Sequence, residues 1–172
     1  MAAGVSVASL PTASAAPARP SAPKAVVLYY HFVNYAADRC LAVSGASTRN
    51  NTAAIVTTCG EKPPEPKDQI WSATLQNAQH YNIFENLDRK CLDIYRASRS
   101  VGAHAVIYTC NGHTDQQWHV ITIRQFPNVY EFQNRNSGLC LTGTRGLFVN
   151  GAVNIQSRCV RSNTHQWWFP QR

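Results

Sequence analysis

Short apolar bursts separated by polar clusters run the length of this chain, and no segment shows a helical period. The first burst, 26–33 (VVLYYHFV), is β-branched or aromatic at most positions, as a strand feeding a core should be. Ala53–Thr57, Tyr81–Phe84, Ala105–Tyr108, His119–Ile123, Val129–Phe132 and Ala152–Ile155 follow, each set off by Asn, Gly, Ser or Thr. Brief apolar runs punctuated by turn formers predict an all-β, barrel-like fold of many short strands. The stretch Glu61–Lys67, EKPPEPK, carries prolines that a central strand could not hold, so it is expected to be a surface loop.

The bursts belong to a larger repeat. Cys91-Leu92-Asp93 opens a unit that reaches Tyr108, Cys110 and a closing Gln116-x-Trp118. Upstream, Cys40-Leu41 leads to Cys59 and Gln69-x-Trp71; downstream, Cys140-Leu141 leads to Cys159 and Gln166-x-Trp168. The paired cysteines lie nineteen positions apart each time, and a Phe-x-Asn triplet at Phe32, Phe84 and Phe132 precedes each first cysteine. A period of about fifty marks one supersecondary unit stacked on copies of itself. Such a unit cannot bury its apolar face alone and must share a core with its neighbours.

The six cysteines are used up by the three matched pairs. In a non-cytosolic setting they read as disulfides Cys40–Cys59, Cys91–Cys110 and Cys140–Cys159; six cysteines permit fifteen connectivities, and the repeat symmetry favours this one. A metal site is the competing reading, but no C-x-x-C supplies the closely spaced thiolates that zinc prefers, so neither metal nor cofactor is expected. With 172 residues the chain is one domain's worth, and its net charge of +7 comes from basic residues scattered without a run. That distribution suits acidic surfaces or glycans and offers no nucleic-acid motif.

Residues 1–24 stand apart as small, apolar and then proline-punctuated, with Ala13-Ser14-Ala15 resembling a cleavage site. They are expected to be the remnant of a secretory signal peptide and an Ala/Pro linker, although no basic n-region precedes them. The cysteine pairs agree with an extracellular location.

Three repeats, Cys-Leu, the nineteen-residue cysteine spacing and Gln-x-Trp together resemble the ricin B-chain-type lectins over Tyr30–Phe169. The resemblance implies a β-trefoil of three roughly 45–50-residue repeats within a domain spanning 25–172. Each repeat would give two strands to a six-stranded barrel and two to a hairpin cap, with one disulfide per repeat. Trp71, Trp118 and Trp168 would then be core anchors, Gln69, Gln116 and Gln166 would complete the motif, and Gln69 and Gln166 would satisfy buried backbone groups.

Sugar binding in that family calls for an Asp after Cys-Leu, a Gln four before the second cysteine, an aromatic two before it, and an Asn preceding Gln-x-Trp. Carboxylate and amide groups grip vicinal hydroxyls, and the aromatic plane covers the apolar face of a galactose-like ring. The first repeat has Ala42, Ile55, Thr57 and Asp68 in those places, and the third has Thr142, Ile155, Ser157 and His165. Both are expected to be silent. The central repeat keeps Asp93 and Tyr108 but has Val106 for the Gln and Asp115 for the Asn. The resemblance therefore implies one weak galactose-type site at Asp93, Tyr108, Asp115 and Gln116, with His104 and His113 flanking it in sequence.

Two other functions compete. Catalysis lacks Gly-x-Ser-x-Gly, His-Glu-x-x-His, a phosphate-cradling glycine loop or a compelling carboxylate pair, so no enzyme is expected. A trefoil with degenerate sugar sites could instead bind a protein partner, as a receptor-binding toxin subunit or protease inhibitor does. Neither nucleic acid nor membrane insertion is expected.

Overall fold

The computed structural model describes residues 28–60, 66–76, 81–144 and 149–172. The expected signal segment 1–24 and most of the proline-rich loop lie outside these residues, and Lys67 opens a single 3-10 turn, Lys67–Gln69. Strands β1 (Tyr29–Asn34), β2 (Arg39–Val43), β3 (Thr52–Thr57) and β4 (Trp71–Gln76) form the first repeat. The second contributes β5 (Tyr81–Asn86), β6 (Lys90–Ile94), β7 (Ala105–Thr109) and β8 (Trp118–Thr122). The third holds β9 (Tyr130–Asn134), β10 (Cys140–Thr142), β11 (Ala152–Val153), β12 (Ile155–Ser157) and β13 (Trp167–Gln171).

First and last strands of the repeats close a six-stranded barrel, because antiparallel pairing runs β1, β4, β5, β8, β9, β13 and back to β1. The middle strands form three hairpins, β2 with β3, β6 with β7, and β10 with β12. These meet one another at one end through β3 with β7, β3 with β11, and a bridge between His104 and Ile155. This is a β-trefoil, and its helical content among the described residues is confined to 3-10 turns.

The described strands number thirteen where twelve were expected, because Asn154 interrupts the strand that would join β11 to β12. Its backbone N–H donates to Ala54 O at 2.9 Å, and its carbonyl accepts from Ala105 N at 2.9 Å. One residue thus ties the third hairpin to both others, at the cost of its place in the ladder.

The core repeats as faithfully as the sequence. Trp71, Trp118 and Trp168 are fully buried, and their indole N–H groups donate to Leu41 O, Leu92 O and Leu141 O at 2.9, 3.1 and 3.3 Å. Every one of these indoles thereby keeps its one polar atom satisfied. Phe32, Phe84 and Phe132 meet at the centre with ring centroids 4.6–5.2 Å apart. Three disulfides, Cys40–Cys59, Cys91–Cys110 and Cys140–Cys159, tie the start of each hairpin to its far end. Each could contribute on the order of 3 kcal/mol by restricting the unfolded chain.

Candidate functional site

The β6–β7 hairpin decides what the central repeat presents. Cys91 pairs with Tyr108, Leu92 with Ile107 and Asp93 with Val106. Alternation along the strands sends Leu92, Ile94 and Ile107 into the core, and leaves Cys91, Asp93, Val106 and Tyr108 on the opposite face. Asp93 and Tyr108 are diagonal neighbours there, and both line a cleft of about 340 Å³.

The 3-10 turn Thr114–Gln116 supplies the other wall. Asn134, from the Phe-x-Asn triplet of the third repeat, donates from Nδ2 to Asp115 O at 2.7 Å and so fixes the backbone of that wall. Asp115 lines the same cleft as Asp93 and Tyr108. Gln116 does not reach it with an exposed atom. Its side chain is fully buried: Oε1 accepts from the Asn111 and Gly112 N–H groups, while Nε2 donates to Thr109 O at 3.0 Å and to Asp93 Oδ2 at 2.8 Å. Its bearing on a ligand passes through Asp93.

Two carboxylates lie close together here with little solvent, Asp93 being 4% and Asp115 8% exposed. Burial pushes the Asp93 carboxyl up to about 7; the Gln116 bond pulls it down, and the neighbouring Asp115 charge adds to the rise. Near neutral pH the site therefore holds an acceptor poised between its charged and neutral forms. Hydroxyl donors on a ligand would favour the charged form.

Five further residues line the cleft, and three of them, Asn51, Arg96 and Ala97, stand on positive-φ backbone. Asn51 comes from the first repeat with φ 65°, where the matching positions of the other repeats are Gly102 and Gly151. Arg96 has φ 55°, where the first repeat has Gly45. Side chains carried on glycine-type backbone cost stability, and such conformations cluster at functional sites. The signal lies in the sequence for Asn51, whose two register partners are both glycine; at the Arg96 position only the first repeat has glycine, and the third has Arg145. Asn111 and His113 complete the rim, whereas His104 is exposed and bridges Ile155, with no place in this cleft.

The corresponding parts of the other repeats differ. In the third, a cleft of about 420 Å³ is lined by Val101, Thr142, Ile155, Ser157 and Val160 among others. Gln166 Nε2 donates there to Thr142 Oγ1 and Ser157 Oγ, at 3.1 and 2.8 Å, so both hydroxyls are engaged inward. In the first repeat Ala42 is fully buried and Ile55 nearly so, which leaves no carboxylate and no ring on that hairpin. Among the described residues no cluster of His, Cys, Asp and Glu could hold a metal ion, and no helix is long and apolar enough to cross a membrane.

Comparison with solved structures returns the same fold. A designed threefold-symmetric protein, ThreeFoil, is 25% identical, with a TM-score of 0.74 over 83% of this chain and 96% of its own. An exo-β-1,3-galactanase from Clostridium thermocellum gives 22% identity and a TM-score of 0.74, over 83% of this chain but 29% of the enzyme. A Polyporus squamosus lectin, bound to Neu5Aca2-6Galb1-4GlcNAc, gives 18% and 0.69, over 84% of this chain and 48% of the lectin. Comparison with curated protein sequences finds no match. The sequence profile of the ricin-type β-trefoil lectin domain matches residues 28–168, nearly the whole described body, and the chain belongs to that carbohydrate-binding, non-catalytic domain family.

Proposed function

We propose that this protein is a secreted lectin module that takes one galactose-type glycan per chain, weakly, in the central-repeat cleft. The convergence of Asp93, Asp115 and Tyr108 on one cleft carries the reading, since neither other hairpin offers a carboxylate with a ring. Asp93 and Asp115 accept from vicinal hydroxyls, Tyr108 covers the apolar face of the sugar, and Gln116 holds Asp93 in place from below. Two of the similar structures have galactose units in what they cleave or bind, which supports the choice of sugar.

Val106 stands where the family has a hydrogen-bonding Gln, and the loss of a neutral bond of that kind costs about 1 kcal/mol. Affinity near millimolar, about −4 kcal/mol, is the expected result, with any avidity coming from clustered glycans. Three disulfides fit an oxidising, extracellular setting. A glycan array tests the reading: signal on terminal galactose that disappears with Tyr108→Ala supports it. Silence across the array at high protein concentration would favour the protein-partner alternative.

A further inference from the structure

Between the β8–β9 turn and the loop that leads from β12 to β13 lies another cleft, of about 330 Å³. Its floor is Trp167, the residue between Gln166 and Trp168, which points outward because its neighbour Trp168 points into the core. Trp167 packs with Tyr35 and Phe126 at ring-centroid distances of 5.4 and 5.3 Å, and Phe126 remains 37% exposed. Arg124, Gln125, Arg161 and Ser162 complete the lining. Both loops that bear the arginines are tied down. Trp167 Nε1 donates to Arg161 O at 3.1 Å, and the β8–β9 turn is closed by Ile123 N to Val129 O and Phe126 N to Ile123 O.

Neither guanidinium forms an ion pair or a side-chain hydrogen bond among the described residues. Beneath them Glu131 is the cross-strand neighbour of Trp167, 1% exposed, with no donor reaching its Oε1. Burial raises that carboxyl above its ordinary range, and the Arg161 charge pulls it back down. Arg161 thus feels the charge of the buried carboxyl while its donors stay unsaturated. An aromatic platform, two unsaturated guanidinium forks, an amide and a hydroxyl are what a sugar ring bearing an anionic group would use: ring face on the aromatics, anion on the forks, hydroxyls on Gln125 and Ser162.

We infer that the cleft between Phe126, Trp167, Arg124 and Arg161 is a second ligand site, for a saccharide carrying a carboxylate or sulfate group, independent of the central-repeat cleft. The tryptophans make it readable. Trp71, Trp118 and Trp168 are sealed in the core, so only Trp167 can report directly on a ligand at the surface.

The test is a titration of the full chain with D-glucuronic acid and with galactose 6-sulfate, followed by tryptophan emission, against D-glucose and sodium chloride at matched ionic strength. A saturable change with either acidic sugar and none with the controls is expected. Arg161→Ala and Arg124→Ala should each weaken it at least fivefold, Trp167→Phe should remove the signal, and Tyr108→Ala should leave it unchanged. No saturable change with either acid would overturn the inference, as would undiminished affinity in both arginine variants. A response that vanishes with Tyr108→Ala would also overturn it, by assigning the acidic sugar to the central cleft.

Discussion

The central and third repeats place a cleft at the same point of the fold and fill it with opposite chemistry. In both, the Gln of Gln-x-Trp holds down the loop after the second cysteine, through Oε1 to Asn111 N in one and to Val160 N in the other. In both, Nε2 also reaches forward to whatever follows Cys-Leu: Asp93 Oδ2 at 2.8 Å, or Thr142 Oγ1 at 3.1 Å. One amide therefore serves the fold in both repeats, and the residue it touches decides whether the repeat presents a carboxylate. The motif that identifies the family is for this reason silent about which repeat works, and the variable partner of the amide is informative.

Removing that amide should have the largest effect and should separate the two repeats. Gln116→Ala leaves two loop N–H groups without their acceptor and takes one donor from the buried Asp93 carboxyl, a loss of about 3 kcal/mol. A melting temperature lower by roughly 6–12 °C is expected for a chain of this size, with sugar binding gone. Gln166→Ala should destabilise comparably, yet leave galactose binding within about twofold of the parent. Equal loss of binding in both variants, by titration calorimetry, would refute the division of labour.

Substitutions on the cleft surface should reverse that pattern. Asp93→Asn and Tyr108→Ala are each expected to abolish binding, while differential scanning calorimetry finds the melting temperature within a few degrees of the parent. A collapse of either fold would show that these groups serve packing.

Asp93 also predicts a pH signature. Its folded pKa of about 7 is raised from the ordinary 3.8, so its contribution to stability is fully present below about pH 3.8 and is lost as pH rises towards 7. Binding through the charged acceptor runs the other way and should strengthen severalfold between about pH 6 and 8. The stability trend should flatten in Asp93→Asn, measured by chemical denaturation between about pH 4 and 8, and the binding trend is read by titration of the parent.

Smaller effects sharpen the comparison from the other side. Thr142→Asp with Ser157→Tyr gives the third repeat the carboxylate and ring it lacks, and the sugar stoichiometry should move from one towards two, at millimolar affinity. Asn51→Gly should be nearly neutral for stability, because it restores the residue type found at Gly102 and Gly151, and should weaken binding roughly two- to fivefold.

Much of this architecture is legible in the chain. Cys-Leu, Gln-x-Trp and Phe-x-Asn each occur three times because each serves the same purpose in every repeat. The indole caps a Leu carbonyl, and the phenylalanines meet on the axis. Repetition exposes such roles without coordinates. Residues that occur once are not legible in the same way. Asn154 breaks its strand for contacts with two other repeats, and nothing in its local sequence announces them. Asn51 and Arg96 join the central cleft on glycine-type backbone, visible only when the repeats are superposed. Proximity in sequence puts Gln116 among the ligand contacts, whereas its buried position makes it a supporting part beneath Asp93.

The most direct test of the central claim is an amide-resolved NMR titration of the chain with lactose. Shifts confined to Asn51, Asp93, Arg96, Tyr108, Asn111 and Asp115, fitting one site of near-millimolar affinity, are the expected result. Shifts centred on Thr142, Ser157 and Val160, or none at concentrations well above millimolar, would contradict it.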